Sequence, residues 1–245
     1  AFYIEKGLHS QVFATLFACI TLLAAGFLCP GVQGNSITSA FTHAFGINVY
    51  VTTVALISLL CFIVFGGLNR IAKFTVVIVP FMAQTYIVAA LIILGVHIDK
   101  LPDVFMLVIH SAFGSDAVFG AMVGSAISLG VKRGIFSNEA GQGTGPHASS
   151  AAAVSHPAKQ GLVQAFSVYI DTLFVCSATG FMVLLTGCYN VISPDGVPLV
   201  TKLAGIEAGP GYTQAAVESL MPGWGSPFVA IALFFFAFTT ILAYY

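Results

Sequence analysis

Residues 134–145 read GIFSNEAGQGTG, a polar, glycine-rich stretch set between two segments apolar enough to enter a membrane. In hydrocarbon every backbone polar group must find a partner inside the protein. Chain that cannot stay helical is therefore tolerated at bilayer depth only where protein buries it or where it lines a cavity. The stretch predicts a broken membrane helix whose interruption faces a ligand.

Working outward, a spanning helix needs about 20 mostly apolar residues. Runs over 12–33, 48–67, 74–96, 161–187 and 226–245 meet that length. A sixth, over 117–154 and broken near 136–145, contains the quoted stretch. Residues 101–113 are only mildly amphipathic and are expected at the interface. Residues 188–225 carry Pro194, Pro198, Pro210 and Pro222 with several glycines, which predicts an extramembrane loop with a short helix over 213–220. The fold class is thus all-α: a polytopic transmembrane helical bundle with one broken helix.

Of the 245 residues, 58% are apolar and 7% charged, against about 25% charged in a typical soluble domain. A net charge of -1 offers nothing to nucleic acid. Cys19, Cys29, Cys61, Cys176 and Cys188 fall singly, without CxxC or Cys/His spacing, and read as small packing residues. The chain begins at Ala1 and stops at Tyr245 within an apolar run, so it is expected to be an internal fragment of a longer polytopic protein. Lys and Arg gather in cytoplasmic loops. With six spans, the N-terminal flank, Arg70, Lys73 and Lys159 share one side, expected to be cytoplasmic. The loop at 188–225 then lies outside the cell.

Ionisable groups inside spans are costly and functional by default. Asp171, ten residues into its span and followed by Thr172, can be an ion or proton ligand, or a carboxylate satisfied by neighbouring hydroxyls or by Arg133. Glu139 can receive an ammonium group or lock to Arg133. Gln33, Asn35 and Ser36 follow Pro30-Gly31 at the end of the first span, where they can line a polar cavity or cap a helix end. Thr239 and Thr240 interrupt ALFFFAFTTILAYY, and either can bond back to its own helix. As a pair they offer hydroxyl oxygens of the kind a hard cation takes. His147 and His156 lie near Ser149, Ser150 and Ser155, but no nucleophile elbow such as GxSxG is present, and Ala-rich stretches of this kind pack helices. An embedded enzyme using Asp171, His147 or His156 is the rival reading, and a non-functional structural fragment is another.

GVKRGIFSNEAGQGTGP, followed by HPAKQGLVQAFSVYIDTLFVCSATGFMVLLTG, resembles the sodium:alanine symporter family, also called alanine or glycine:cation symporters. FYIEKGL, GVQGNSI, GGLNRIAKFTVVIVPFMAQTYI and FAFTTILAYY resemble the family's successive segments in the same order, so nearly the whole chain is covered. The resemblance implies a leucine-transporter-like fold of two inverted five-helix repeats, of which this chain supplies the third to the eighth spanning helices. It implies substrate contacts from Phe136, Ser137, Asn138, Gln33 and Tyr244, and a sodium site at Thr239 and Thr240. Glu139, Arg133 and Asp171 are left as coupling or gating residues. The implied function is co-transport of a small neutral amino acid, alanine or glycine, with sodium by alternating access across a plasma membrane. The partners are then the amino acid, the sodium ion and the lipid bilayer, with no cofactor, catalytic residue or nucleic acid. Tyr244 stands where many members have tryptophan, while Lys132 and Pro30 also depart from the family's pattern.

A geometric tension accompanies this reading. At about 1.5 Å per residue a helix over 117–154 outruns a core of about 30 Å. Either it protrudes at both faces, which the glycines and Glu139 favour, or the break lies at 119–128 and the SNEAG stretch is a cytoplasmic loop.

Overall fold

A computed structural model describes residues 2–113, 119–139, 141, 143–150, 152–192, 198–206 and 208–244. Ala1, Pro194 and Tyr245, named above, lie outside them. The described chain is all-α apart from one hairpin. Four helical stretches are long and apolar enough to cross a membrane: Gln11–Phe45, Arg70–Val96, Pro157–Thr186 and Gly225–Tyr244, with Val49–Val64 shorter. The protein is a multi-pass membrane protein. Two compact units divide the chain, one from Ala1–Met82 with Pro227–Tyr245 and the other from Ala83–Ser226.

In the first unit, α1 (Phe2–Leu8) precedes α2 (Gln11–Leu23), whose first turn is capped by Ser10 accepting from the Phe13 amide. The chain then passes through a π-helical segment, Ala24–Leu28, into α3 (Cys29–Phe45). The sequence places the end of this span near Gln33, but the helix continues to Phe45. The wider register, in which the Cys29 amide reaches the Ala24 carbonyl five residues back, carries the helix past Pro30 without breaking it. Ser36 and Thr38 then return their hydroxyls to the Val32 and Asn35 carbonyls, so polarity does not end the helix.

Asn48 caps α4 (Val49–Val64) by accepting from the Tyr50 amide at 2.9 Å. Arg70, on α5 (Leu68–Val96), donates to the Phe62 carbonyl at 2.9 Å and lies over the Phe62 ring. The core of this unit joins Ile37, Leu56 and Ile63 to Ala237, Phe238, Ile241 and Leu242 of α12 (Gly225–Tyr244). Phe234 stacks on Phe238 at 5.3 Å, and Phe74 meets Phe238 edge-on at 5.9 Å.

In the second unit, α6 (Leu101–Phe113) and α10 (Ser177–Thr186) pack together, and α11 (Pro210–Leu220) packs on α10. α7 (Phe119–Asn138) gives way to the short α8 (Gly145–Ser150). α9 (Pro157–Tyr169) runs through a second π-helical segment, Ile170–Cys176, into α10. Leu162, Phe166, Tyr169 and Leu173 are each more than 60% exposed. An apolar stripe of that extent suits lipid as the surrounding solvent.

After α10 the chain forms an antiparallel hairpin, β1 (Asn190–Ile192) with β2 (Pro198–Thr201). Asn190 holds it closed: its amide donates to the Leu203 and Ile206 carbonyls, and its oxygen accepts from the Lys202 and Leu203 amides. α11 ends in a second staple, where Glu218 accepts from the Gly223 and Ser226 amides. Those bonds, Ser226 first, hold the Glu218 carboxyl below its ordinary value. A lowered carboxyl contributes stability above its unfolded-state value and loses it as pH falls through the folded one. Thermal melts of the protein should therefore weaken at the acid end of the carboxylate range, and Glu218→Gln should remove that part of the dependence. Gly225 must be glycine here, because a Cβ would lie 2.4 Å from the Glu218 backbone nitrogen. Gly225→Ala should destabilise by about 1–3 kcal/mol, the usual scale for overpacking.

Candidate functional site

α7 is continuous from Phe119 to Asn138, so the alternative break at 119–128 is not present in it. Helix is lost at Glu139, which takes a left-handed φ of 52°, and Gly141 and Gly143 follow at φ 79° and 84°. Glycine adopts such angles freely, whereas a glutamate does so at a cost that its surroundings must offset. Helix resumes at Gly145. The last carbonyls of α7 thus lack continuing turns to accept from, and the negative end of its dipole points at the interruption.

Ser137 and Asn138, the last two residues of α7, turn their side chains onto the π-helical segment. Ser137 Oγ donates to Asp171 Oδ2 at 2.5 Å and lies 3.5 Å from Cys176 Sγ. Asn138 Nδ2 donates to Thr172 Oγ1 at 3.1 Å, and Thr172 Oγ1 can return a bond to Asn138 Oδ1 at 3.3 Å. The π register persists beneath this pair. The Ser177 amide reaches the Thr172 carbonyl five residues back, and Ser177 Oγ bonds to the same carbonyl. Residues 34 apart in sequence are thereby joined by paired bonds.

The alternative of an ion pair between Glu139 and Arg133 is not realised. Six residues of helix rotate about 600°, which leaves Arg133 well round α7 from Glu139, and the left-handed turn sends the carboxylate onward to Thr144, whose hydroxyl donates at 2.6 Å. Nor does Arg133 neutralise Asp171. Among the described residues no basic side chain pairs with that carboxylate. Phe136 is 39% exposed.

Beside the interruption lies a groove of about 770 Å³ lined by Asn138, Glu139, Gly141, Ser149, Gln160 and Gln164, among others. Ser149 Oγ is buried there with no partner among the described residues. The two histidines are placed differently from a catalytic pair: His156 Nδ1 accepts from the Ala158 amide as the cap of α9, and the His147 carbonyl accepts from Ser150.

The remaining candidates belong to the other unit. Gln33 is half-buried on α3 and Tyr244 half-buried at the end of α12. Thr239 Oγ1 donates to the Phe235 and Phe236 carbonyls, and Thr240 Oγ1 to the Phe236 carbonyl. Each hydroxyl proton is thus used within the helix, which leaves oxygen lone pairs as the outward-facing feature. Among the described residues no three His, Cys, Asp or Glu side chains assemble a transition-metal site. Thr172, Thr144 and Cys176 join the cluster without having been assigned a role in it from sequence; the Asp171-Thr172 pair in an apolar run was the one available signal.

The chain is 62% identical over its whole length to YrbD of Bacillus subtilis (strain 168). To the sodium/proton-dependent alanine carrier protein of Bacillus sp. (strain PS3) it is 56% identical over 91% of its length. To the sodium/alanine symporter AgcS of Methanococcus maripaludis it is 37% identical over 99%. It spans about half the length of each of these relatives, 51%, 51% and 52% respectively. The pattern of the Sodium:alanine symporter family matches residues 1–245, and the chain belongs to that family.

Proposed function

We propose that the whole protein containing this chain is a secondary transporter. It couples uptake of a small neutral amino acid, alanine or glycine, to a cation, sodium, across the plasma membrane. The observation that carries this reading is the loss of helix after Asn138 and its resumption at Gly145, with Glu139, Gly141 and Gly143 at positive φ, within a chain of that family. Free carbonyls at the end of α7 suit a cation or an ammonium group, and the polar groove beside them has the volume of a small-molecule site. The names of the Bacillus sp. (strain PS3) and Methanococcus relatives support alanine as substrate; the first names sodium and proton as coupling cations, and the second names sodium. They also support a transporter rather than an enzyme built on Asp171, His147 and His156.

In this proposal the bundle is the leucine-transporter-like inverted repeat, with the loop at 188–225 outside the cell. Phe136 and the backbone around Ser137 and Asn138 are proposed substrate contacts, and so, on the family resemblance, are Gln33 and Tyr244. Thr239 and Thr240 present lone pairs to sodium. Sodium favours one state of the bundle because it binds that state better, and rocking of one bundle against the other exposes the site alternately to each side.

The test is labelled alanine uptake by the full-length protein in proteoliposomes, with and without an inward sodium gradient. Sodium-driven accumulation is expected. Thr240→Ala should raise the half-saturating sodium concentration by roughly tenfold, the scale for disturbing one ligand of a metal site. Accumulation driven by a proton gradient alone would exclude sodium as the coupling ion, and an unchanged sodium requirement in Thr240→Ala would remove that residue from the site.

A further inference from the structure

We infer that Tyr86, on α5, is a positioning residue for transport: acting through Thr179, it holds the π-helical segment Ile170–Cys176 in the register that sets Asp171 and Thr172 against Ser137 and Asn138. This role rests on the co-transport reading above and adds to it a residue that does not line the groove. Tyr86 is 6% exposed, and its hydroxyl lies 2.5 Å from Thr179 Oγ1 on α10. The Thr179 proton goes to the Val175 carbonyl at 2.9 Å. Tyr86 is therefore the donor of the pair, and the three groups form one directed chain from α5 into the π-helical segment.

A π-helical turn is rare, so its surroundings must hold it against the ordinary α register. Where bonding five residues back gives way to bonding four residues back, amides and carbonyls no longer match one to one, and in a membrane each carbonyl left over needs a partner from the protein. Two hydroxyls from the following turn supply such partners: Ser177 Oγ bonds to the Thr172 carbonyl at 2.8 Å, and Thr179 Oγ1 to the Val175 carbonyl. The Tyr86 proton occupies a lone pair of Thr179, which polarises that hydroxyl, strengthens its bond to Val175 and ties the turn to α5. The register matters because α10 is anchored, with Ala178 and Met182 only 9% and 1% exposed. Against a fixed α10, relaxing the segment to α-helix would turn Asp171 and Thr172 by about 100° and move them about 1.5 Å along the axis. Their bonds to Ser137 at 2.5 Å and Asn138 at 3.1 Å, which join the segment to the end of α7, would not survive that rotation.

The experiment compares full-length wild type, Tyr86→Phe and Thr179→Val in two measurements: alanine uptake in proteoliposomes at saturating sodium, and thermal unfolding in detergent. Tyr86→Phe keeps the buried ring and removes only the donor. It should raise the half-saturating alanine concentration by roughly three- to tenfold, the scale of one net hydrogen bond, with maximal rate and melting temperature nearly unchanged. Thr179→Val should do the same, and Thr179→Ser, which keeps the hydroxyl, should recover most of the loss. Because Tyr86 acts through the placement of Thr172, its effect should shrink in a Thr172→Val background, where the bond to Asn138 is already gone. A hydroxyl that serves stability alone would lower the melting temperature and the maximal rate, leave half-saturation unchanged and add fully to Thr172→Val. That pattern, or wild-type half-saturation in Tyr86→Phe while sodium still drives uptake, would overturn the role alone. If Tyr86→Phe does not fold, Thr179→Val and Thr179→Ser decide the matter. Absence of sodium-driven uptake by the wild type would instead remove the co-transport reading, and this role with it.

Discussion

Asn138→Asp should reduce alanine uptake by at least about tenfold at neutral pH, with partial recovery on acidification. Asn138 ends α7 and both donates to and accepts from Thr172. A carboxylate of nearly the same shape cannot donate. The Thr172 hydroxyl can still donate to the carboxylate, so the loss is the one bond that Asn138 donated, about 0.5–1.5 kcal/mol net, and about 1.4 kcal/mol corresponds to a factor of ten. The substitution also adds an anion at the negative end of the α7 dipole, next to Glu139 and on the side of Asp171. Both penalties shrink once the new carboxyl takes up a proton, because the neutral acid donates again and carries no charge. Uptake should therefore recover as pH falls, relative to wild type measured at the same pH. Uptake equal to wild type at neutral pH would mean that the Asn138–Thr172 pair does not support transport.

How much of this was visible in the sequence depends on the range over which each feature acts. The polar stretch after Asn138 showed itself because glycine and polar residues are rare in a membrane run, and the structure loses helix at Glu139 and regains it at Gly145. The end of the first apolar helix was misjudged for the converse reason. Gln33, Asn35 and Ser36 lower the hydropathy, yet their backbone remains helical, and the hydroxyls of Ser36 and Thr38 are satisfied within the helix. The hairpin at Asn190 could not be anticipated, since its strands have three and four residues, too few for alternation to register. Asp171 and Ser137 were each recognisable as polar residues out of place. Their contact across 34 positions is a tertiary fact that one sequence does not encode locally. The alternative of pairing Glu139 with Arg133 failed on helix phase and on the left-handed turn at Glu139.

Phe238→Ala is expected to be the most destabilising single substitution in the Ala1–Met82 and Pro227–Tyr245 unit. The side chain is fully buried, stacked on Phe234 and met edge-on by Phe74. Its neighbours Ile37, Leu56, Ile241 and Leu242 are each at most 6% exposed, so little of the surface around a vacated ring can collapse into lipid. Helices in a bilayer gain little by hiding apolar surface from lipid tails, so close packing is a main contribution holding them together. Removing a buried phenylalanine typically costs about 3–5 kcal/mol, much of it for the cavity left behind. Val76→Ala serves as the control, because Val76 is 72% exposed and packing at that position is loose. The measurement is thermal unfolding of the purified full-length protein in detergent. A large fall in melting temperature is expected for Phe238→Ala and almost none for Val76→Ala. Equal falls would mean that the aromatic stack around α12 contributes no more than an ordinary lipid-facing contact, and the core assigned to this unit would have to be redrawn.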